Sequence, residues 1–251
     1  MSRMLQAALV ILTSVSTPRW VRAQAPDTIH AGSPALRGAT MPLTTDTVDN
    51  YTLTGGVRQL SSTTVRSITR HQDAAEPTYL IRTLHWTARG DTSVTTMVVR
   101  ADDYSLVFHR VKAPRDSAAV TASRNHLTGW VVLPNQPVIL LDRALEHPVF
   151  GVEGQIPWLL PLLPLAAGRQ FVVPHFSQWD SAEKWDVVTV IGSEDVTVGS
   201  RSFDCWKVDM GSLGPPGYRM YRWVDKASRR IVQSMLRGGA TETEYWSYLR
   251  S

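Results

Sequence analysis

The chain has 251 residues, 43% of them hydrophobic and 19% charged, a globular balance that excludes disorder throughout. A single cysteine excludes a disulfide framework or a cysteine-based zinc site, and 15 prolines with 16 glycines spread along the chain argue against a helical bundle. The formal charge of +4 overstates the basicity, because residues 1–23 hold Arg3, Arg19 and Arg22 and no acid; a remainder at +1 carries no electrostatic footprint for nucleic acid.

Arg3 opens a charged segment, residues 5–15 form an apolar run, and small residues follow up to Ala25, the order of a secretory signal peptide. Cleavage after Ala25 would leave Pro26 against the peptidase, so the preferred cut follows Ala23 and the mature chain begins at Gln24. The apolar run is shorter than the roughly 20 residues of a bilayer span, which leaves no transmembrane anchor after cleavage. The expected location is therefore periplasmic or extracellular. Residues 24–47, rich in Pro, Ala, Gly, Ser and Thr without periodicity, read as a flexible leader.

A single β-rich domain is expected over residues 48–249. Period-two segments at 48–54 and 57–70 flank Gly55-Gly56, and those at 79–88 and 92–100 flank Arg89-Gly90-Asp91, so each pair reads as a hairpin. Further strands are predicted at 104–112, 118–123 and 129–133. Val138, Leu141 and Leu145 then recur at helical spacing and predict one short helix within 137–149. Residues 156–167 are the most apolar stretch of the mature chain; Pro157, Pro161 and Pro164 make them a broken helical segment, packed on a sheet or closing its concave face. Strands resume at 169–176, 183–191, 195–198, 202–210, 218–225, 229–237 and 241–249. Several carry apolar or aromatic residues on both faces, as in a sheet that is covered on two sides or curves around a cavity.

The segment Leu163-Pro164-Leu165-Ala166-Ala167-Gly168, the strand pair Val190-Ile191-Gly192-Ser193-Glu194-Asp195-Val196 and Phe203-Asp204-Cys205-Trp206-Lys207-Val208, and the pieces Tyr221-Arg222-Trp223-Val224-Asp225 and Arg229-Arg230-Ile231-Val232 form a pattern. Over residues 155–248 it resembles domain of unknown function 3108, a family of exported bacterial proteins. The resemblance implies a mainly β fold: a curved antiparallel sheet or incomplete β-barrel, similar to that of the periplasmic lipoprotein carriers, with one or two short helices inserted on the open side. It implies no activity and carries no catalytic residue across.

The residues themselves yield no catalytic or metal constellation and no cofactor. There is no G-x-S-x-G, and Ser181-Ala182-Glu183-Lys184 matches S-x-x-K without its partner motifs. His85 and His109, on strands expected to be neighbours, read as packing partners. Glu242 and Glu244 read as a solvated strand face, and Cys205 as an inert buried thiol. Two readings follow: a non-enzymatic envelope protein that binds a hydrophobic small molecule or lipid, such as an acyl chain, and a structural or protein-interaction domain whose core is filled. For the first, Trp158, Leu159, Leu162 and Leu163 are expected to cover a sheet face that includes Trp206 and Trp223, with the ligand between them.

Overall fold

The computed structural model describes residues 25–36, 38–71, 76–152, 156–177, 181–211, 219–238 and 243–250. The expected signal peptide lies outside them. The alternation read from the sequence forms strands β1 (Asp27–Thr28), β2 (Thr45–Thr54), β3 (Val57–His71), β4 (Thr78–Thr87), β5 (Thr92–Arg100), β6 (Leu106–Lys112), β7 (Ser117–Ser123), β8 (His126–Val132) and β9 (Ile139–Ala144). After a 3-10 helix at Ile156–Leu162 come β10 (Gln170–Ser177), β11 (Ala182–Val198), β12 (Arg201–Asp209), β13 (Arg219–Asp225), β14 (Ile231–Arg237) and β15 (Glu244–Leu249).

All of these strands join one sheet, in the order β1-β10-β11-β12-β13-β14-β15-β2-β3-β4-β5-β6-β7-β8-β9. The fold is mainly β, a large sheet that does not close into a barrel. Two antiparallel meanders, β2 to β9 and β10 to β15, meet where β15 pairs with β2, Trp246 opposite Tyr51 and Leu249 opposite Val48. Gly55 and Gly56, at φ 56° and 79°, make the left-handed turn that a two-residue hairpin needs between β2 and β3.

Three expectations change. Residues 137–149 contain strand β9, hydrogen-bonded to β8, in place of a helix: Leu141 is buried and Leu140 is 76% exposed, the alternation of an edge strand. The segment expected as a flexible leader is part of the fold from Asp27 onward. Ile29, Leu36 and Met41 are buried in the main core, β1 pairs in parallel with β10, and Tyr104 Oη donates to Ala39 O at 2.6 Å. The strands expected at 183–191 and 195–198 are one strand, β11, whose pairing with β12 shifts between Val190 and Gly192.

The main core draws on nearly every strand and centres on the 3-10 helix, with Ile156, Trp158, Leu159, Leu160, Leu162 and Leu163 among its members. A second, smaller cluster gathers Val196, Val198, Cys205, Trp223, Val232 and Leu249, with Trp246 and Tyr248 packed against it. Among the described residues no helix is long and apolar enough to cross a membrane.

Candidate functional site

Six consecutive strands, β13, β14, β15, β2, β3 and β4, present one face to the 3-10 helix, and a cavity of about 250 Å³ lies between them. On most strands its lining follows the strand period, with Arg222, Ser247 and Leu249, Val48 and Asn50, Thr64 and Arg66, and Ile81 and Thr83; β14, whose pairing with β13 shifts at Val224, contributes Ile231, Val232, Gln233 and Ser234 in succession, and Pro157 and Trp158 form a wall from the helix. The pairing register aligns the polar ones. Arg222 stands opposite Ser234, Ser234 opposite Ser247, and Ser247 opposite Asn50, a polar row across four strands. Arg66 stands opposite Asp46 on one side and Thr83 on the other. A second cavity of about 230 Å³ shares Asn50, Arg222, Ser234 and Ser247 with the first and continues past Met220, Leu236 and Tyr245.

The helix is held firmly over this face. Leu159, Leu160, Leu162 and Leu163 are fully buried. Arg229 Nη2 donates to Leu163 O at 2.9 Å and Arg169 Nη1 to Pro164 O at 3.1 Å, so two guanidinium groups satisfy carbonyls that the end of the helix leaves open. Trp158 is 3% exposed and meets the Phe150 ring edge-on at 6.5 Å; its Nε1 is buried and has no hydrogen-bond partner.

Among the described residues the cavity lining holds two arginines and no carboxylate. Burial lowers the pKa of both. For Arg222 the nearby Arg66 adds to the effect and the value falls to about 10, whereas Asp46 partly offsets it for Arg66. Among the described residues Arg222 Nη2 donates only to Met220 Sδ, at 3.1 Å, and its Nε is buried without a partner. Asp46, the acid nearest Arg66, accepts hydrogen bonds from Arg230 Nη2 and, at 3.3 Å, from Thr44 Oγ1. Beside the arginines, Asn50 Nδ2 donates to Thr64 Oγ1 at 3.0 Å, and the same hydroxyl meets His85 Nδ1 at 3.0 Å, with the His85 pKa lowered by burial.

Of the residues expected to form the site, Trp158 lines the cavity, while Leu159, Leu162 and Leu163 lie behind it in the main core. Trp206 packs against the same core, with Lys226 Nζ 4.4 Å from its ring centroid. Trp223 is elsewhere. β12 and β13 pair with Trp206 opposite Val224 and Lys207 opposite Trp223, and directly opposed residues share a face, so the two tryptophans point to opposite sides of the sheet. Trp223 stacks instead on Trp246, at 6.0 Å and 23°.

His85 and His109 are not on neighbouring strands, because β5 runs between β4 and β6. His109 is 1% exposed, has a partner on neither ring nitrogen, and burial lowers its pKa to about 4. Ser181 sits in the turn before β11 at φ 50°, and Lys184 stands opposite His175. Glu244 accepts a hydrogen bond from Trp246 Nε1 at 2.9 Å, and Glu242 lies outside the described residues. The Cys205 thiol is pushed up to about 12, by burial first and then by Asp225 and Asp204. Sequence reasoning missed Arg66 and Arg222. The available signal was their position: Arg222 alternates with Met220 and Val224, both against the main core, and a charged residue on an apolar strand face is the informative exception.

No protein family and no curated protein matches the chain. Two solved structures are similar in part. One is a β-barrel-like protein of domain of unknown function DUF1849 from Brucella abortus, at 11% identity and TM-score 0.47, covering 84% of this chain and 98% of that one. The other is a DUF1329 family protein from Desulfovibrio piger, at 12% identity and TM-score 0.23, covering 82% of each chain.

Proposed function

We propose that this chain is an exported, non-enzymatic binding module that holds a hydrophobic small molecule, an acyl chain or lipid, between the 3-10 helix and the sheet. The observation that carries the reading is the cavity itself, walled by Val48, Ile81, Pro157, Trp158, Ile231 and Leu249 and prolonged toward Met220 and Leu236. Its volume sits just below the usual 300–1,000 Å³ of ligand pockets, and its apolar walls share the lining with as many polar side chains, among them Asn50, Thr64, Arg66 and Arg222. Trp158 touches the ligand in this reading, and Leu159, Leu162 and Leu163 fix its position. The signal-like order of residues 1–23 supports the export part of the reading.

Titration with a fluorescent fatty acid, followed through quenching of tryptophan emission, tests the reading. Saturable binding at micromolar concentration is expected, and Trp158→Phe should change the quenching. Absence of binding by any acyl probe to the folded protein would favour a structural or protein-interaction domain, for which the fully buried leucines of the helix speak.

A further inference from the structure

We infer that Arg66 and Arg222 form an oxyanion site, so that the ligand of this cavity carries a carboxylate or phosphate group. The inference rests on the binding reading above and names the chemistry of what is bound. Five observations converge on it. Two guanidinium groups line one cavity that, among the described residues, no carboxylate lines. The nearest acid, Asp46, is held by Arg230 and Thr44. Among the described residues Arg222 hydrogen-bonds only to a thioether, a weak acceptor, and it keeps a buried Nε without a partner. The Trp158 indole N–H, buried in the same wall, is also without an acceptor. The remaining polar lining, Asn50, Thr64, Thr83, Gln233, Ser234 and Ser247, adds side chains that can donate to an anion.

Buried charges in folded proteins are ordinarily paired. Burial lowers both arginine pKa values; the nearby Arg66 adds to the effect on Arg222, and Asp46 offsets part of it for Arg66. An oxyanion entering between them reverses both effects. It replaces repulsion by two charge-assisted bonds, and the planar guanidinium fork matches a carboxylate or phosphate edge. The apolar walls and the continuation past Met220 and Leu236 leave room for a hydrocarbon tail behind such a head group.

The test compares decanoate, decanol and inorganic phosphate by isothermal titration on the full folded chain, with Arg222→Met and Arg66→Gln as variants. Decanoate is expected to bind at least 30-fold more tightly than decanol, about 2 kcal/mol. Each variant should abolish most of that preference while leaving decanol binding intact. Phosphate that binds as tightly as decanoate assigns the site to a free oxyanion; phosphate that competes only weakly assigns it to the head group of an amphiphile, and both outcomes support the pair. Decanol and decanoate binding equally overturns this inference alone. Failure of all three probes overturns the binding reading with it.

Discussion

Replacing Arg222 by methionine should make the unliganded protein more stable. Its folded-state pKa of about 10, against an ordinary 12.5, corresponds to about 3 kcal/mol at 1.36 kcal/mol per unit. The side chain is only half-buried, so solvent screening reduces the recoverable part to about 1–2 kcal/mol. Methionine fills similar space beside Met220 and Val224 without a charge, and the bond lost, to Met220 Sδ, is weak. With a urea m-value of about 3 kcal/mol/M, the unfolding midpoint should rise by about 0.3–0.7 M with m unchanged. Equilibrium urea unfolding at pH 7 in ligand-free buffer, followed by tryptophan emission, measures it. A midpoint that falls by 0.3 M or more would mean that Arg222 is a structural residue, and the reasoning from an uncompensated cation would be refuted.

His109 makes the fold acid-sensitive: between pH 6.5 and about 4 the unfolded chain takes up a proton that the folded one refuses, so stability falls as pH drops through that window, by about 3 kcal/mol in total. His109→Leu should flatten that slope in urea titrations at pH 6.5 and 4.5, and an unchanged slope would contradict it. Cys205, fully buried and with its thiol pushed up to about 12, should resist a disulfide reagent at pH 8 in the native state and react at once in urea. Gly129→Ala should cost roughly 3 kcal/mol or more, because the added Cβ would lie 2.1 Å from Ala119 O and 2.9 Å from Val120 Cα at a φ of +153°; a thermal midpoint within 2 °C of the parent would refute the geometry. Trp158→Phe keeps the ring against Phe150 and removes an unpartnered N–H, so stability should change by less than about 1.5 kcal/mol in the same urea assay.

Most strands were legible because alternation and turn chemistry agree along them. The predicted 92–100 coincides with β5, and the prediction of 57–70 differs from β3 by one residue. The failures have physical causes. Val138, Leu141 and Leu145 satisfy a helical spacing, but Ile139 and Leu141 satisfy the strand period as well, and pairing with β8 decides between them. Ile29, Leu36 and Met41 are isolated apolar residues among Pro, Gly and Ser, with no period to show that they reach the core. The site was partly legible. The apolar, proline-interrupted 156–167 does lie over the sheet, yet which strand residues face it depends on register: one step along β13 separates Trp223, which points away, from Arg222, which lines the cavity. Arg66 and Arg222 meet only because β15 joins β2, a long-range pairing that local patterns do not encode.

That joint sets an order of assembly. Arg250 and Asp49, ion-paired across it, are 201 residues apart in the chain, so the seam closes only after a very large loop has been drawn together. Until then each meander keeps a bare strand edge, β2 on one and β15 on the other, ready to pair with the wrong partner. The cavity straddles the seam, with Arg222 and Ser234 contributed by one meander and Asn50, Thr64 and Arg66 by the other. It cannot exist in either half alone. A ligand of the kind proposed would rivet the two meanders together, and parting β15 from β2 would open the cavity and release it.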